Sequence, residues 1–255
     1  MKLSGNTIMI TGGGSGIGCG LAEAFHALGN QVVIAGRRKQ TLDETTAANP
    51  GMKSLTLDVQ DPAAIRTFAS QAAAEFPSLN VLINNAGIMR AEKLLAQQPD
   101  LADAEAIVTT NLLGPIRMTA ALLPHLLKQP SATIFNVTSG LAFIPMAFTP
   151  TYCATKAAIH SYTLSLRYQL KDTAVRVAEL VPPWVATTLM GAKPTDPRAM
   201  PLEAYIAEVM QLLTANPNAE EFCVERVLPQ RTATAKGNES TFFKSFNDIM
   251  ADRPH

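Results

Sequence analysis

Tyr152 and Lys156 stand four residues apart in Tyr152-Cys153-Ala154-Thr155-Lys156, and Ser139 lies thirteen residues upstream. On a helix, positions four apart share a face, so this spacing points a phenol and an ammonium the same way. A free tyrosine has a pKa near ~10 and moves protons poorly at neutral pH. A nearby cation favours the phenolate, so the spacing predicts a Tyr152 pKa lowered toward the range of efficient acid-base work. Ser139 ends the apolar run Ala132 to Thr138, which reads as a strand, and its hydroxyl can hydrogen-bond the same substrate oxygen. A lone Tyr-x-x-x-Lys also describes a helical surface pair, and the surrounding chain decides between the two.

The elements that must position these groups begin with Thr7 to Ile10, a short apolar run. It is followed by Thr11-Gly12-Gly13-Gly14-Ser15-Gly16-Ile17-Gly18, after which Leu21, Ala22, Phe25 and Leu28 recur at helical spacing. Strand, glycine turn and helix bring bare backbone N–H groups to a helix N-terminus, an arrangement that receives a pyrophosphate. Gly29-Asn30 closes the helix, and Gln31 to Ala35 reads as the next parallel strand. At its end, where a carboxylate would select a free ribose hydroxyl, stands Gly36-Arg37-Arg38. Two guanidinium groups suit a 2′-phosphate, which predicts NADP(H) as the preferred cofactor with NAD(H) as the second option. A solvated helix start is the alternative reading, more so for Arg38 than for Arg37.

Lys53 to Leu57 continues as strand, Pro62 to Phe76 as helix and Val81 to Ile83 as strand, with later strands at Val175 to Val181 and Phe222 to Leu228. The alternation predicts an α/β fold, a single doubly wound Rossmann-type domain over 1–255 with a seven-stranded parallel sheet flanked by helices. Ligands of such sheets sit beyond the carboxyl ends of the strands. Asp58 follows the third strand, where it either accepts from an adenine amino group or caps the helix at Asp61-Pro62. Asn84-Asn85-Ala86-Gly87 follows the fourth and suits a turn passing close to a nucleotide. Leu101 to Leu127 reads as one long helix that Pro115 and Pro124 bend or divide, with Asn111, a poor helix former, in mid-run.

Composition narrows the class. The 255 residues carry 21 basic and 21 acidic side chains, so no field of one sign recommends nucleic acid or an anionic membrane as partner. No run reaches the roughly 18 uninterrupted apolar residues of a membrane span, and the N-terminus lacks the pattern of a secretory leader. Lys2 stands where myristoylation needs glycine. Cys19, Cys153 and Cys223, odd in number and widely spaced, suit small buried thiols in a cytoplasmic protein. His26, His125, His160 and His255 show no ligand spacing, so no metal is expected and they read as ordinary helix or tail residues.

The glycine turn at 11–18, Asp58, Asn84 to Gly87, Asn111, Ser139 and Tyr152 to Lys156, in this order and spacing, resemble the short-chain dehydrogenase/reductase family over roughly residues 4 to 190. The joint pattern is specific, although each part alone is not. Met1 to Gly18, Ala35 to Arg38 and Leu180 to Leu189 also resemble the DltE-like oxidoreductases within it. The resemblance implies that Tyr152 exchanges a proton with a carbonyl or alcohol oxygen while hydride passes to or from the nicotinamide. Ser139 would polarise that oxygen, Lys156 would hold the ribose hydroxyls, and Asn111 would keep a water that links Lys156 to solvent. Gly12, Gly14, Ser15, Gly16, Ile17 and Gly18, with Asn85, Ala86 and Gly87, would line the cofactor. Asp58 and Val59 would meet the adenine, and Pro182, Val185 and Thr187 the nicotinamide end. The chain departs from the family at Pro182-Pro183-Trp184, where Pro-Gly is usual, and a second proline reshapes the carboxamide pocket.

Leu141 to Pro150, with Trp184 and Met190, would make an apolar wall suited to a small hydrophobic ketone, aldehyde or secondary alcohol, with little to grip a charged group. For Phe143 and Phe148, core or subunit packing stands beside that reading. Residues 187–215 resemble the family's substrate lid. Phe242, Phe243, Phe246, Ile249 and Met250 form an apolar stripe in a tail over 236–255, which docks on its own domain or on a neighbouring subunit. The family also implies a homodimer or homotetramer through the helices that carry Asn111 and Tyr152. A 3-oxoacyl-thioester reductase, and a nucleotide-bound sensor without turnover, are the competing functions.

Overall fold

The computed structural model describes residues 1–95, 101–191 and 196–251. Residues 192–195 of the expected lid, and 252–255 with His255, lie outside the described residues. Seven strands form one parallel sheet: β1 (Thr7–Thr11), β2 (Gln31–Gly36), β3 (Lys53–Thr56), β4 (Leu79–Asn84), β5 (Ala132–Val137), β6 (Val175–Val181) and β7 (Glu221–Cys223). Their order is β3-β2-β1-β4-β5-β6-β7, so the direction of winding reverses between β1 and β4. A crevice must open there at the carboxyl edge.

The strands alternate sides with period two, and each side has its own helices. Ile8, Ile10, Val32, Ile34 and Phe135 face Leu21 and Phe25 of α1 (Gly16–Ala27) and Tyr205, Val209 and Leu213 of α7 (Leu202–Ala215). Met9, Val33, Leu82, Ile134 and Val177 face α3 (Pro62–Glu75), α5 (Gly114–Leu126) and α6 (Pro150–Gln169). The α7 half of the expected lid is thus anchored by a fully buried Tyr205. α2 (Lys39–Ala48) follows β2 and contributes Leu42 to the first of these cores.

Two local expectations are corrected. The long helix is divided at Pro115 and not at Pro124: α4 (Ala102–Val108) passes into a π-helical turn at Thr109–Leu113, which holds Asn111, and α5 then begins with Pro115 in its first turn. The wider turn rotates the Asn111 amide inward, onto Ile88. The seventh strand stops at Cys223 because it pairs only with Glu179–Val181. Chain reversal through Glu225–Val227 then leads into α8 (Leu228–Thr232), which Pro229 starts. Ala102–Leu126 is, as a whole, long and apolar enough to cross a membrane, although no uninterrupted apolar run exists. Its apolar side chains Ile107, Met118, Leu122 and Leu126 are buried in the protein core.

The turn after β1 is packed against the turn after β4. A Cβ on Gly18 would lie 2.4 Å from both the Gly12 carbonyl oxygen and Asn85 Nδ2, and Gly12 itself has φ +69. The steric need for glycine at these two positions therefore comes from the neighbouring loop as well as from any ligand. Gly18→Ala is expected to cost about 1–3 kcal/mol of stability through overpacking against backbone. Urea unfolding of the variant checks this, and an unchanged midpoint would refute it.

Candidate functional site

β5 ends at Val137, and the chain turns through Thr138 and Ser139 into a single 3-10 turn over Gly140–Ala142. α6 then returns across the end of the strand, carrying Tyr152, Lys156 and His160 at successive turns of one face. Lys156 Nζ donates to the Val137 carbonyl at 2.8 Å. Its ammonium lies 5.5 Å from the centroid of the Tyr152 ring. Ser139, at the strand end, hydrogen-bonds the Tyr152 phenol, and its Oγ also accepts from Leu141 N at 3.1 Å. Ser139, Tyr152 and Lys156 are each 6% exposed. The spacing read in the sequence thus closes into one cluster.

The electrostatics differ from expectation. Burial pushes the Tyr152 phenol well above its usual value, and the Ser139 hydrogen bond only partly opposes this. The lowering expected from Lys156 is not found, because desolvation dominates and the ammonium is engaged by a carbonyl beside the ring. Burial also lowers Lys156, to about 8, with the Glu179 carboxylate acting in the opposite sense.

A cleft of about 600 Å³ runs from the end of β2 to this cluster. Gly12, Gly14, Ser15, Gly16 and Ile17 line its floor, and Asn85, Ala86 and Gly87 its side. The first turn of α1 opens onto it with no acidic side chain. Arg37 and Arg38 stand exposed at one end, with Arg38 Nη2 reaching Ser15 Oγ at 3.3 Å. Asp58 and Val59 lie nearby. Asp61 caps α3, accepting from Ala63 N at 2.7 Å and Ala64 N at 3.1 Å, which leaves Asp58 to the cleft with one bond from Gln60 N at 2.9 Å. Tyr152, Lys156, Pro182 and Thr187 close the other end. Gly18 packs beneath the loop. Asn111 is buried, its Oδ1 accepting from Ile88 N at 2.9 Å and its Nδ2 donating to Ile88 O at 2.8 Å. The sequence motifs do not point to Arg90 and Thr110, which also reach the cleft.

A second cavity of about 490 Å³ adjoins the first and shares Tyr152 with it. Leu141, Met146, Trp184 and Met190 line it as expected, and Val185 faces it, with its backbone bridged to Met200. Pro182 offers its carbonyl to Gly140 N at 2.9 Å, which pins the proline pair across the end of β5. Phe143 and Phe148 do not line this cavity. Phe143 turns away, toward the His160 ring at 4.9 Å and the Arg231 guanidinium at 4.8 Å. Phe246, Ile249 and Met250 of α9 (Glu239–Ala251) supply wall that the wall residues singled out in the sequence do not include. Their apolar stripe is visible in the sequence, but its destination is not. Arg198, whose guanidinium is paired with Asp196, and Arg226 and Gln230 also reach the cavity, so its lining is not apolar throughout.

His160 is not an ordinary helix residue. Its Nδ1 lies 2.9 Å from the fully buried Glu179, and this hydrogen bond holds the imidazole above its usual value. Cys153 is buried against Met146, and burial keeps its thiol protonated. Cys19 and Cys223 are only half-buried.

A doubly wound parallel sheet, a glycine turn at its switch point and a Ser-Tyr-Lys cluster beyond the strand ends are the parts of a dinucleotide-type oxidoreductase. The chain belongs to the short-chain dehydrogenase family, whose sequence profile matches residues 6–198. Within it the chain groups with DltE-like oxidoreductases: it is 40% identical over 247 residues to the uncharacterized oxidoreductase DltE of Bacillus subtilis (strain 168), which covers 95% of this chain and 97% of that one. Among solved structures, a short-chain dehydrogenase from Burkholderia cenocepacia J2315 in complex with NADP matches with TM-score 0.81 and 25% identity over 96% of this chain and 98% of its own. The closed form of a serine dehydrogenase complexed with NADP+ matches with TM-score 0.74 and 28% identity over 85% and 93%.

His160 has a raised pKa, so its pairing with Glu179 contributes fully below the unfolded imidazole value and fades as pH rises through the folded value. The stability gap between the native chain and His160→Gln is therefore expected to be widest below about pH 6.5 and to narrow above it. Urea midpoints of both chains across that range check the sign, and a gap independent of pH would refute it.

Proposed function

We propose that this protein is an NADP(H)-dependent oxidoreductase that interconverts a small, largely apolar ketone or aldehyde and its alcohol. The observation that carries the reading is the shared wall: Tyr152 borders both the dinucleotide-sized cleft and the adjoining apolar cavity. The donor set fits the cofactor. Arg37 and Arg38 would hold a 2′-phosphate, the amides at the start of α1 a pyrophosphate, and Lys156 the ribose hydroxyls. When bound, the nicotinamide supplies or accepts the hydride.

Tyr152 hands a proton to the carbonyl oxygen in reduction and takes it back in oxidation. Its raised pKa suits the first direction, since a buried neutral phenol keeps its proton until the oxygen develops charge. Ser139 orients that oxygen, and Lys156 places positive charge next to the phenol as it ionises. Asn111 fixes the Ile88 backbone behind Gly87 and so shapes the cleft. The whole chain would act as one domain, with the tail helix completing the substrate wall. Leu164 and Tyr168, exposed on α6, support association between copies through that helix.

Tyr152→Phe is expected to reduce hydride transfer by at least about 10²-fold with NADPH affinity nearly unchanged. Cofactor absorbance on a panel of ketones, aldehydes and alcohols measures the rate, and full turnover in the variant rejects the assignment. Arg37→Ala is expected to weaken NADPH about tenfold or more through a lost charge-assisted hydrogen bond, with little change for NADH. Equal losses for the two cofactors, read by fluorescence titration, would reject the choice of nucleotide.

A further inference from the structure

Glu179 lies fully buried in β6, an interior strand of a parallel sheet, where a carboxylate is unfavourable unless it is paired. It accepts from Thr138 Oγ1 at 2.6 Å, and its two oxygens meet His160 Nδ1 at 2.9 and 3.1 Å. His160 is one helical turn beyond Lys156, and Lys156 grips the carbonyl of Val137, the residue before Thr138. The contacts form a closed circuit: Lys156 to Val137-Thr138, Thr138 to Glu179, Glu179 to His160, and back along one turn of α6.

A buried ammonium needs more than a carbonyl dipole. The other charged groups around the circuit are already matched. Arg231 of α8 binds Glu221 of β7 through Nε at 2.6 Å and Nη2 at 3.0 Å. Burial and then Glu221 hold the Cys223 thiol of β7 up at about 12, so it is neutral. Arg167, further along α6, pairs with Glu220 and the Val177 carbonyl. Tyr152 is a neutral phenol. Ligand atoms of His160, Glu179 and Glu221 lie within 4.8 Å of one another, but Arg231 on Glu221 and Thr138 on Glu179 make this an ion-pair network rather than a metal cradle. Among the described residues, the negative charge left to serve Lys156, and His160 when it is protonated, is that of Glu179.

We propose that Glu179 is a positioning residue, the counter-anion that keeps the Lys156 ammonium charged beside the reacting phenol, with Thr138 and His160 holding its carboxylate in place. His160 shares the same anion, so a proton on His160 weakens the hold on Lys156 and its loss strengthens it. Only the kinetic part of the test rests on the oxidoreductase reading.

Two substitutions push in opposite directions. Glu179→Gln keeps the shape and the acceptor for Thr138 but removes the negative charge, so the Lys156 titration is expected to fall by about one pH unit. His160→Gln removes a partial positive charge and is expected to move it upward. The titration is read without substrate by NMR of [ε-13C]lysine, with the Lys156 resonance assigned by its loss in Lys156→Arg. In NADPH-dependent carbonyl reduction, the alkaline limb of the pH profile of kcat/KM should move to lower pH in Glu179→Gln and not in His160→Gln. Shifts of opposite sign support the proposal, since damage to the fold does not distinguish the two variants by charge. A Lys156 titration that is unmoved or raised in Glu179→Gln overturns it. If Glu179→Gln fails to fold, Glu179→Asp decides, because the shorter side chain draws the charge back from α6: a lowered Lys156 titration supports the counter-anion, and an unmoved or raised one overturns it. A protein that turns over no carbonyl compound defeats the functional reading, while the Lys156 titration still decides the role of Glu179.

Discussion

Removing an ammonium from water is among the least favourable things a fold can do, and Lys156 is nearly fully buried. Its position is tolerable because β5 ends at Val137, leaving that carbonyl free to accept from it. That single bond ties α6 to the carboxyl edge of the sheet. Once α6 is tied there, helical spacing places Tyr152 one turn back, over Ser139, and His160 one turn on, over Glu179. The cleft, the adjoining cavity and the buried charge network are all arranged around the two faces of this contact.

A second fastening holds the opposite wall. The π-helical turn before α5 swings Asn111 onto both backbone groups of Ile88, and Asn85 Nδ2 reaches across to the Thr11 carbonyl at 2.9 Å. Asn84 continues inward to Asn136 Oδ1 at 2.9 Å, whose own amide donates to Thr163 on α6 at 2.9 Å. Amides are suited to this work because each one donates and accepts, so it can join two loops without leaving a charge behind. The glycine turn is thus clamped from the β4 side before any ligand arrives.

Much of this is legible in the sequence because it follows period and spacing. The alternating strands and helices, the glycine turn, the basic end of β2 and the Tyr152, Lys156 face are local patterns, and a parallel sheet leaves few ways to assemble them. What is not legible depends on long-range contact. Asn111 and Pro115 mark a break locally, but the hydrophobic pattern of Leu101 to Leu127 fits one continuous helix and does not reveal that the break is a π turn. His160 looks ordinary in the sequence because its partner, Glu179, is nineteen residues away on a strand whose apolar pattern it interrupts. The expected lowering of the Tyr152 pKa fails for a related reason: spacing reports which charges are near, whereas desolvation depends on everything packed around them.

The second cavity shows the same division between what is local and what is assembled. Its inner wall comes from the Ser139 loop and the proline pair, which are fixed by the end of the sheet. Its outer wall comes from α9, whose Phe246 and Met250 join the small apolar cluster that also holds Tyr152, Met146 and Met89. Arg198 and Arg226 meet at this rim, with Arg226 Nη1 donating to the Arg198 carbonyl at 3.1 Å. The Arg198 guanidinium is itself paired with Asp196, through Nη2 at 2.6 Å. The inner wall is set by the end of the sheet, and the outer wall by a C-terminal helix that reaches it from the far end of the chain.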